Sequence, residues 1–137
     1  MSFWNRILNF FRDEKQPIDF LQLKIRYQFS NQSLAKDAIT HKSVRKQNRQ
    51  NTYERLEYLG DAVVQLLVSE YLYKKFPRAT EGELTKFRSR LVNRKHLATI
   101  ATKNGFKQFL ISKNSNNEPA LLSELFESIA GAIFLDG

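Results

Sequence analysis

Apolar residues recur at helical spacing along nearly the whole chain. Intervals of three and four predict helices over Phe20 to Tyr27, Gln32 to Thr40, Tyr53 to Lys75, Glu81 to Lys103 and Ala120 to Leu135. In two of these the apolar positions wrap almost all the way round: Ala62-Val63-Val64-Gln65-Leu66-Leu67-Val68 and Ile129-Ala130-Gly131-Ala132-Ile133-Phe134-Leu135. Helices of that kind are expected to be buried. Gly60 lies inside the third predicted helix, where glycine costs about 1 kcal/mol relative to alanine, so it marks a bend or a close approach by another group.

Local punctuation agrees with these boundaries. Thr80 and Glu83 form a T-x-x-E capping box, which starts a helix there. Asn104-Gly105 ends it, the polar run Ser112 to Glu118 reads as a loop, and Pro119 suits a first helical turn. No strand pattern, internal repeat or low-complexity tract stands out. Five or six helices with short connections predict an all-α domain. Ahead of it, Phe3, Ile7, Phe10 and Phe11 share one helical face, and Asp13 to Gln16 with Pro17 read as a linker. The expected division is an aromatic segment and linker over residues 1 to 16 and a helical domain over 17 to 137. The aromatic segment is short and has few cations, so packing against the domain or a partner is favoured over a membrane surface.

Composition narrows the partners. At 137 residues the chain is long enough for one domain with a real core, and its formal net charge of +8 favours a polyanion: RNA, DNA or an anionic membrane. No apolar run reaches the roughly 18 residues that span a bilayer. Cysteine is absent, which excludes disulfides and thiolate zinc sites and fits a reducing compartment.

The candidate chemistry lies in two acidic runs. Glu54, Glu57 and Asp61 sit at i, i+3 and i+7 on one helix face, and Glu124 and Glu127 sit at i and i+3 on another. Such spacing often marks only a solvated face, with Arg55 and nearby lysines as counterions. Here, however, both runs enter the strongly apolar stretches, so the acids lie near the interior, where charge must be paired or metal-bound. A hard cation with oxygen ligands answers that requirement. Lys42, Arg45, Lys46 and Arg49 precede the first run and are the better candidates for nucleic-acid contact; Lys86, Arg88, Arg90, Arg94 and Lys95 read first as a solvated face. His41 reads as structural. His96 has no acidic neighbour at ligand spacing.

These residues resemble the ribonuclease III endonucleases. Tyr53-Glu54-Arg55-Leu56-Glu57-Tyr58-Leu59-Gly60-Asp61-Ala62-Val63 is similar to that family's N-E-R-L-E-F-L-G-D-A-V signature. Thr40-His41-Lys42-Ser43 resembles its T-H-x-S element, and Phe76-Pro77 with Glu81-Gly82-Glu83-Leu84-Thr85 its F-P…E-G-x-L-T element. Phe126-Glu127-Ser128-Ile129-Ala130-Gly131-Ala132-Ile133-Phe134-Leu135-Asp136 resembles the closing F-E-A-x-x-G-A-I-Y-L-D string.

The resemblance implies the family's helical endonuclease fold and a magnesium-dependent endoribonuclease, with manganese as a substitute ion. Its substrate would be double-stranded RNA, cut to 5′-phosphate and 3′-hydroxyl ends in the cytoplasm or an organellar matrix, not outside the cell. Carried over position by position, Glu57, Asp61, Glu124 and Glu127 would hold the metal and serve catalysis, while Glu54 and Glu81 would be supporting acids. Tyr58 matches the aromatic residue that enters a socket on the other subunit, which predicts a two-fold homodimer; the other reading of Tyr58 is an ordinary core residue.

Two departures qualify the match. Glu124 stands where the family usually has aspartate, which keeps the charge but moves the oxygens out by a methylene. That residue sustains a rival reading, a weak or inactive relative that binds RNA, associates with the ribosome or takes another protein partner. A dimerisation module with an acidic docking face is a more distant rival, disfavoured by the basic balance. Family members also usually continue past the position of Gly137 through another helix and often a double-stranded RNA-binding domain, neither of which is in this sequence. The expectation is either a piece of a longer protein or a compact form relying on partners.

Overall fold

The computed structural model describes residues 16–44, 52–113 and 119–137. The aromatic face predicted over residues 1 to 12, together with Arg45, Lys46 and Arg49, lies outside the described residues. Six α-helices are present among those described: α1 (Pro17–Ile25), α2 (Gln32–Ile39), α3 (Thr52–Lys75), α4 (Glu81–Leu91), α5 (Arg94–Lys103) and α6 (Pro119–Asp136). Short 3-10 turns cover Lys42–Val44 and Phe106–Phe109. The described residues contain no strand, only an isolated parallel bridge between Thr40 and Ile111.

α3 and α6 make the most extensive contact in the fold, and α6 also packs on α5 and α2. Two glycines set how closely the first pair meets. A Cβ built on Gly60 would lie 1.6 Å from the Glu127 carbonyl oxygen, and one on Gly131 would lie 2.3 Å from the Leu56 carbonyl oxygen. The backbones therefore touch at this crossing, and only hydrogen side chains fit. Leu56, Leu125, Ile129 and Ala132 seal the contact on the core side, with Leu21, Ile39 and Phe109 beyond them. The buried Ser128 hydroxyl donates to the Ala38 carbonyl at 2.8 Å. At the far end of α6, the Asp136 carboxylate accepts from the Ser30 and Asn31 amides and the Tyr27 hydroxyl, fastening that helix to the turn between α1 and α2.

Most of the predicted punctuation holds: the Thr80–Glu83 capping box is formed, α6 begins at Pro119, and α3 runs unbroken through Gly60. Gly105 takes the left-handed conformation with φ 69° just past the end of α5.

Two expectations are corrected. The single helix predicted over 81 to 103 is two helices, parted at Asn93. The Asn93 Nδ2 donates to the carbonyls of Ser89 and Arg90 at the end of α4, while its Oδ1 accepts from the His96 amide at the start of α5. One side chain thus satisfies backbone groups of both helix ends, which is the reason asparagine prefers caps to helix interiors. The apolar stretches of α3 and α6 are also not buried all round. Val64, Ile129 and Ala132 are, but Leu66, Leu67, Phe134 and Leu135 each expose more than half of their surface. Among the described residues nothing covers that part of either helix.

Alanine at Gly60 should cost at least about 3 kcal/mol, because backbone rather than a flexible side chain occupies the space a methyl needs. Gly82, whose Cβ would meet nothing within 4 Å, is the control. Its alanine variant should gain up to about 1 kcal/mol from helix propensity. Chemical denaturation of both variants measures the contrast.

Candidate functional site

The glycine crossing brings the two acidic runs onto one cavity. Glu54, Glu57 and Asp61 from α3 and Glu124 and Glu127 from α6 line a space of about 520 Å³. His41, Lys42, Tyr53, Tyr58 and Arg94 complete its wall. Glu81 is not part of it; that residue is exposed in the first turn of α4.

Within the described residues, Glu57, Asp61, Glu124 and Glu127 form no ion pair and no side-chain hydrogen bond. Glu54 alone of the five acids is paired, with Lys42 Nζ 2.9 Å from its Oε1, an exposed contact that contributes little to stability. The crowding shows in the protonation equilibria. Burial, followed by the charges of Asp61 and Glu57, pushes the Glu127 carboxyl up to about 7. Burial, then Glu124, raises Glu57 as well, against the pull of Lys42 and Arg94.

The donor chemistry fits a divalent cation of the magnesium type: four carboxylates, no sulfur, and five acids in the cavity against two cations among the described residues. The side chains share the cavity without closing into a coordination sphere, since no three acidic or histidine groups among the described residues converge closely enough to hold an ion as they stand.

His41 behaves as a structural residue. It is buried, its Nδ1 accepts from the Ser43 amide at 3.2 Å and lies 2.9 Å from the Ser43 hydroxyl, and burial lowers its pKa. Its ring meets Tyr53 edge-on, with centroids 5.4 Å apart. Tyr53 was not among the sequence candidates. It is 1% exposed, and its hydroxyl has no hydrogen-bond partner among the described residues. Burying such a group unpaired costs about 1–3 kcal/mol. Burial, then Glu124, Glu57 and Glu127, raises the phenol's pKa far above the ordinary tyrosine range, so it stays a donor. A sequence signal existed: Tyr53, Glu57 and Asp61 recur every fourth residue on one helical face. Arg94 is the other addition, brought to the acids by the helix break at Asn93.

Tyr58 is 83% exposed, which removes the core reading. Beside it opens a largely apolar cavity of about 720 Å³, lined by Leu34, Leu56, Leu59 and Leu135 among others.

Comparison with known proteins gives a consistent picture. The ribonuclease-III-like family model matches residues 31–137. Ribonuclease 3 of Nitratiruptor sp. is 43% identical over 127 residues, covering 88% of this chain and 55% of that protein. Ribonuclease 3 of Wolinella succinogenes is 41% identical over 127 residues, covering 88% and 52%. The chain spans about half the length of these curated relatives. Among solved structures, the ribonuclease III nuclease domain of Campylobacter jejuni superposes with TM-score 0.80 at 39% identity, covering 88% of this chain and 86% of that one. Dicer from Pichia stipitis gives TM-score 0.62 at 32% identity, covering 79% and 46%.

The acid crowding sets a pH dependence. Glu127 holds its proton more tightly folded than unfolded, so nothing is lost below the ordinary value of 4.5, stability falls as pH rises from there to about 7, and the full penalty persists above. Without divalent cation, Glu127→Gln should raise the melting temperature at neutral pH and flatten the decline across that window, while losing most of the stabilisation that magnesium confers on the wild type. Thermal melts across pH, with and without magnesium, measure both effects.

Proposed function

We propose that this chain, which belongs to the ribonuclease-III-like family, is the nuclease part of a homodimeric endoribonuclease that cleaves double-stranded RNA to 5′-phosphate and 3′-hydroxyl ends. Residues 17 to 137 make up its nuclease domain, and residues 1 to 16 a separate aromatic segment and linker. The observation that carries the reading is the meeting of four carboxylates from two helices on one cavity. Glu57, Asp61, Glu124 and Glu127 would hold magnesium, or manganese in its place. A bound ion of this kind supplies an acidified water and neutralises charge on the phosphoryl oxygens.

The chain's own groups account for the rest. The acid surplus would repel RNA phosphates, and a cation held by Glu57, Asp61, Glu124 and Glu127 would relieve that repulsion. Arg94 and Lys42 line the same cavity as the acids and would meet phosphate oxygens there. Hydrolysis adds the water oxygen to phosphorus and breaks the P–O3′ bond, leaving the phosphate on the 5′ side and a proton on the departing 3′ oxygen. Lys42, with Arg45, Lys46 and Arg49, supplies backbone contact, in keeping with the recognition of duplex RNA by shape, phosphates and 2′-hydroxyls. Glu54 is a supporting acid through its pairing with Lys42. Glu81, outside the cavity, supports the site at most from a distance. A reducing cytoplasm or organellar matrix suits a chain without cysteine.

For the dimer, an isologous contact would place each Tyr58 in the apolar cavity beside the partner's own Tyr58 and cover the exposed Leu66 and Leu135. The similar Campylobacter jejuni domain has a region involved in dimer formation. A second reading, a non-cleaving relative that binds RNA or associates with the ribosome, is favoured by one residue: Glu124 carries an extra methylene into a site where ångström-scale misplacement costs about a hundredfold in rate.

Asp61→Ala and Glu127→Ala should each lower cleavage of a long RNA duplex by at least about a hundredfold, with duplex binding largely kept. Wild-type rates in either variant would end the catalytic assignment. If the wild type and Glu124→Asp are both inert at saturating magnesium, the non-cleaving reading replaces it. In sedimentation, Tyr58→Ala should move the protein toward monomer at fixed concentration; an unchanged dimer would contradict the plug.

A further inference from the structure

The Tyr53 hydroxyl is a buried donor with no acceptor among the described residues. Its ring is held by the edge contact with His41, yet that histidine cannot take its hydrogen. With Nδ1 accepting from the Ser43 amide, the other ring nitrogen carries the hydrogen and offers no lone pair. Five carboxylates line the cavity with Tyr53, beside the cations Lys42 and Arg94, and the carboxylate that acts on the phenol most strongly is Glu124, ahead of Glu57 and Glu127. Glu124 is itself only half-buried and has no hydrogen bond or ion pair among the described residues. Two unsatisfied groups of complementary chemistry, a neutral donor on α3 and an anionic acceptor on α6, thus share one cavity.

The acids do not close into a coordination sphere as placed, so cation binding requires a side chain to turn inward. Glu124, only half-buried on α6, lines the same cavity as the phenol and the other acids. We infer that Tyr53 is a positioning residue: its hydroxyl donates to the Glu124 carboxylate once that side chain enters the cavity, fixing one ligand oxygen of the cation. This rests on the metal-binding reading above. It accounts for the orphaned hydroxyl and for how a flexible glutamate serves in a site that needs a fixed oxygen.

Magnesium and manganese titrations of the full chain, followed by calorimetry and thermal melting, test the inference in the wild type, Tyr53→Phe, Glu124→Ala and the double variant. Tyr53→Phe should melt no earlier than wild type without cation, because it removes only an unpaired oxygen. It should nevertheless need about tenfold more cation, the worth of a hydrogen bond to a charged group. In the Glu124→Ala background the same change should have less than about a twofold effect, since the acceptor is gone. Equal cation affinity in Tyr53→Phe and wild type, or the same loss in both backgrounds, would overturn the role of Tyr53. Absence of any cation response in the wild type would instead overturn the metal reading and this inference with it. An ultraviolet difference spectrum gives an arm that does not depend on the phenylalanine variant. Cation should red-shift a tyrosine band in the wild type and not in Glu124→Ala; identical spectra in the two would likewise overturn the pairing.

Discussion

The contact between the backbones of α3 and α6 at Gly60 and Gly131 governs everything else in this domain. Neither helix could come so near the other with a methyl at either position, and each carries its acids within two turns of its glycine. Glu57 and Asp61 flank Gly60 at one turn or less; Glu127 and Glu124 precede Gly131 by one and two turns. Separating the helices by the width of a side chain would leave two unrelated acidic faces. The glycines therefore set the geometry of the acidic cavity through the backbone.

That geometry has an electrostatic cost. The fold drives mutually repelling carboxylates together with only Lys42 and Arg94 as cations among the described residues that line the cavity, and the raised pKa of Glu127 records the crowding. The surrounding apolar packing, the Ser128–Ala38 hydrogen bond and the Asp136 clasp supply the stability that offsets it. On the proposed reading, a bound cation would relieve the repulsion and so couple its binding to folding. Active sites commonly hold such unfavourable arrangements against a stable scaffold.

Much of this was legible in the residues, and the failures have physical causes. Local signals worked where one side chain decides the outcome: the Thr80–Glu83 box, Pro119 and Gly105 all mark the ends they suggested. The helix break at Asn93 was missed because the apolar residues of both helices, Leu84, Phe87 and Leu91 and then Leu97 and Ala98, fit one helical reading, while a single asparagine serving two ends leaves no periodic trace. The acidic cavity was foreseen from spacing together with apolar context. Tyr53 was not, because a tyrosine on a core face reads as packing until its hydroxyl is found to lack a partner. Burial of the apolar stretches was overstated, since patterning reports that a face avoids water without saying whether the same chain covers it. Leu66, Phe134 and Leu135 stay exposed for that reason.

The central claim, that a helix crossing without side chains assembles four carboxylates into one cation site, has a direct crystallographic test. Crystals of the chain grown or soaked with manganese should show an anomalous peak between α3 and α6, with oxygens of Glu57, Asp61, Glu124 and Glu127 or their bound waters at about 2.1 Å. A strong peak elsewhere on the molecule, or no peak in the cavity at saturating manganese with the acids pointing apart, would contradict it.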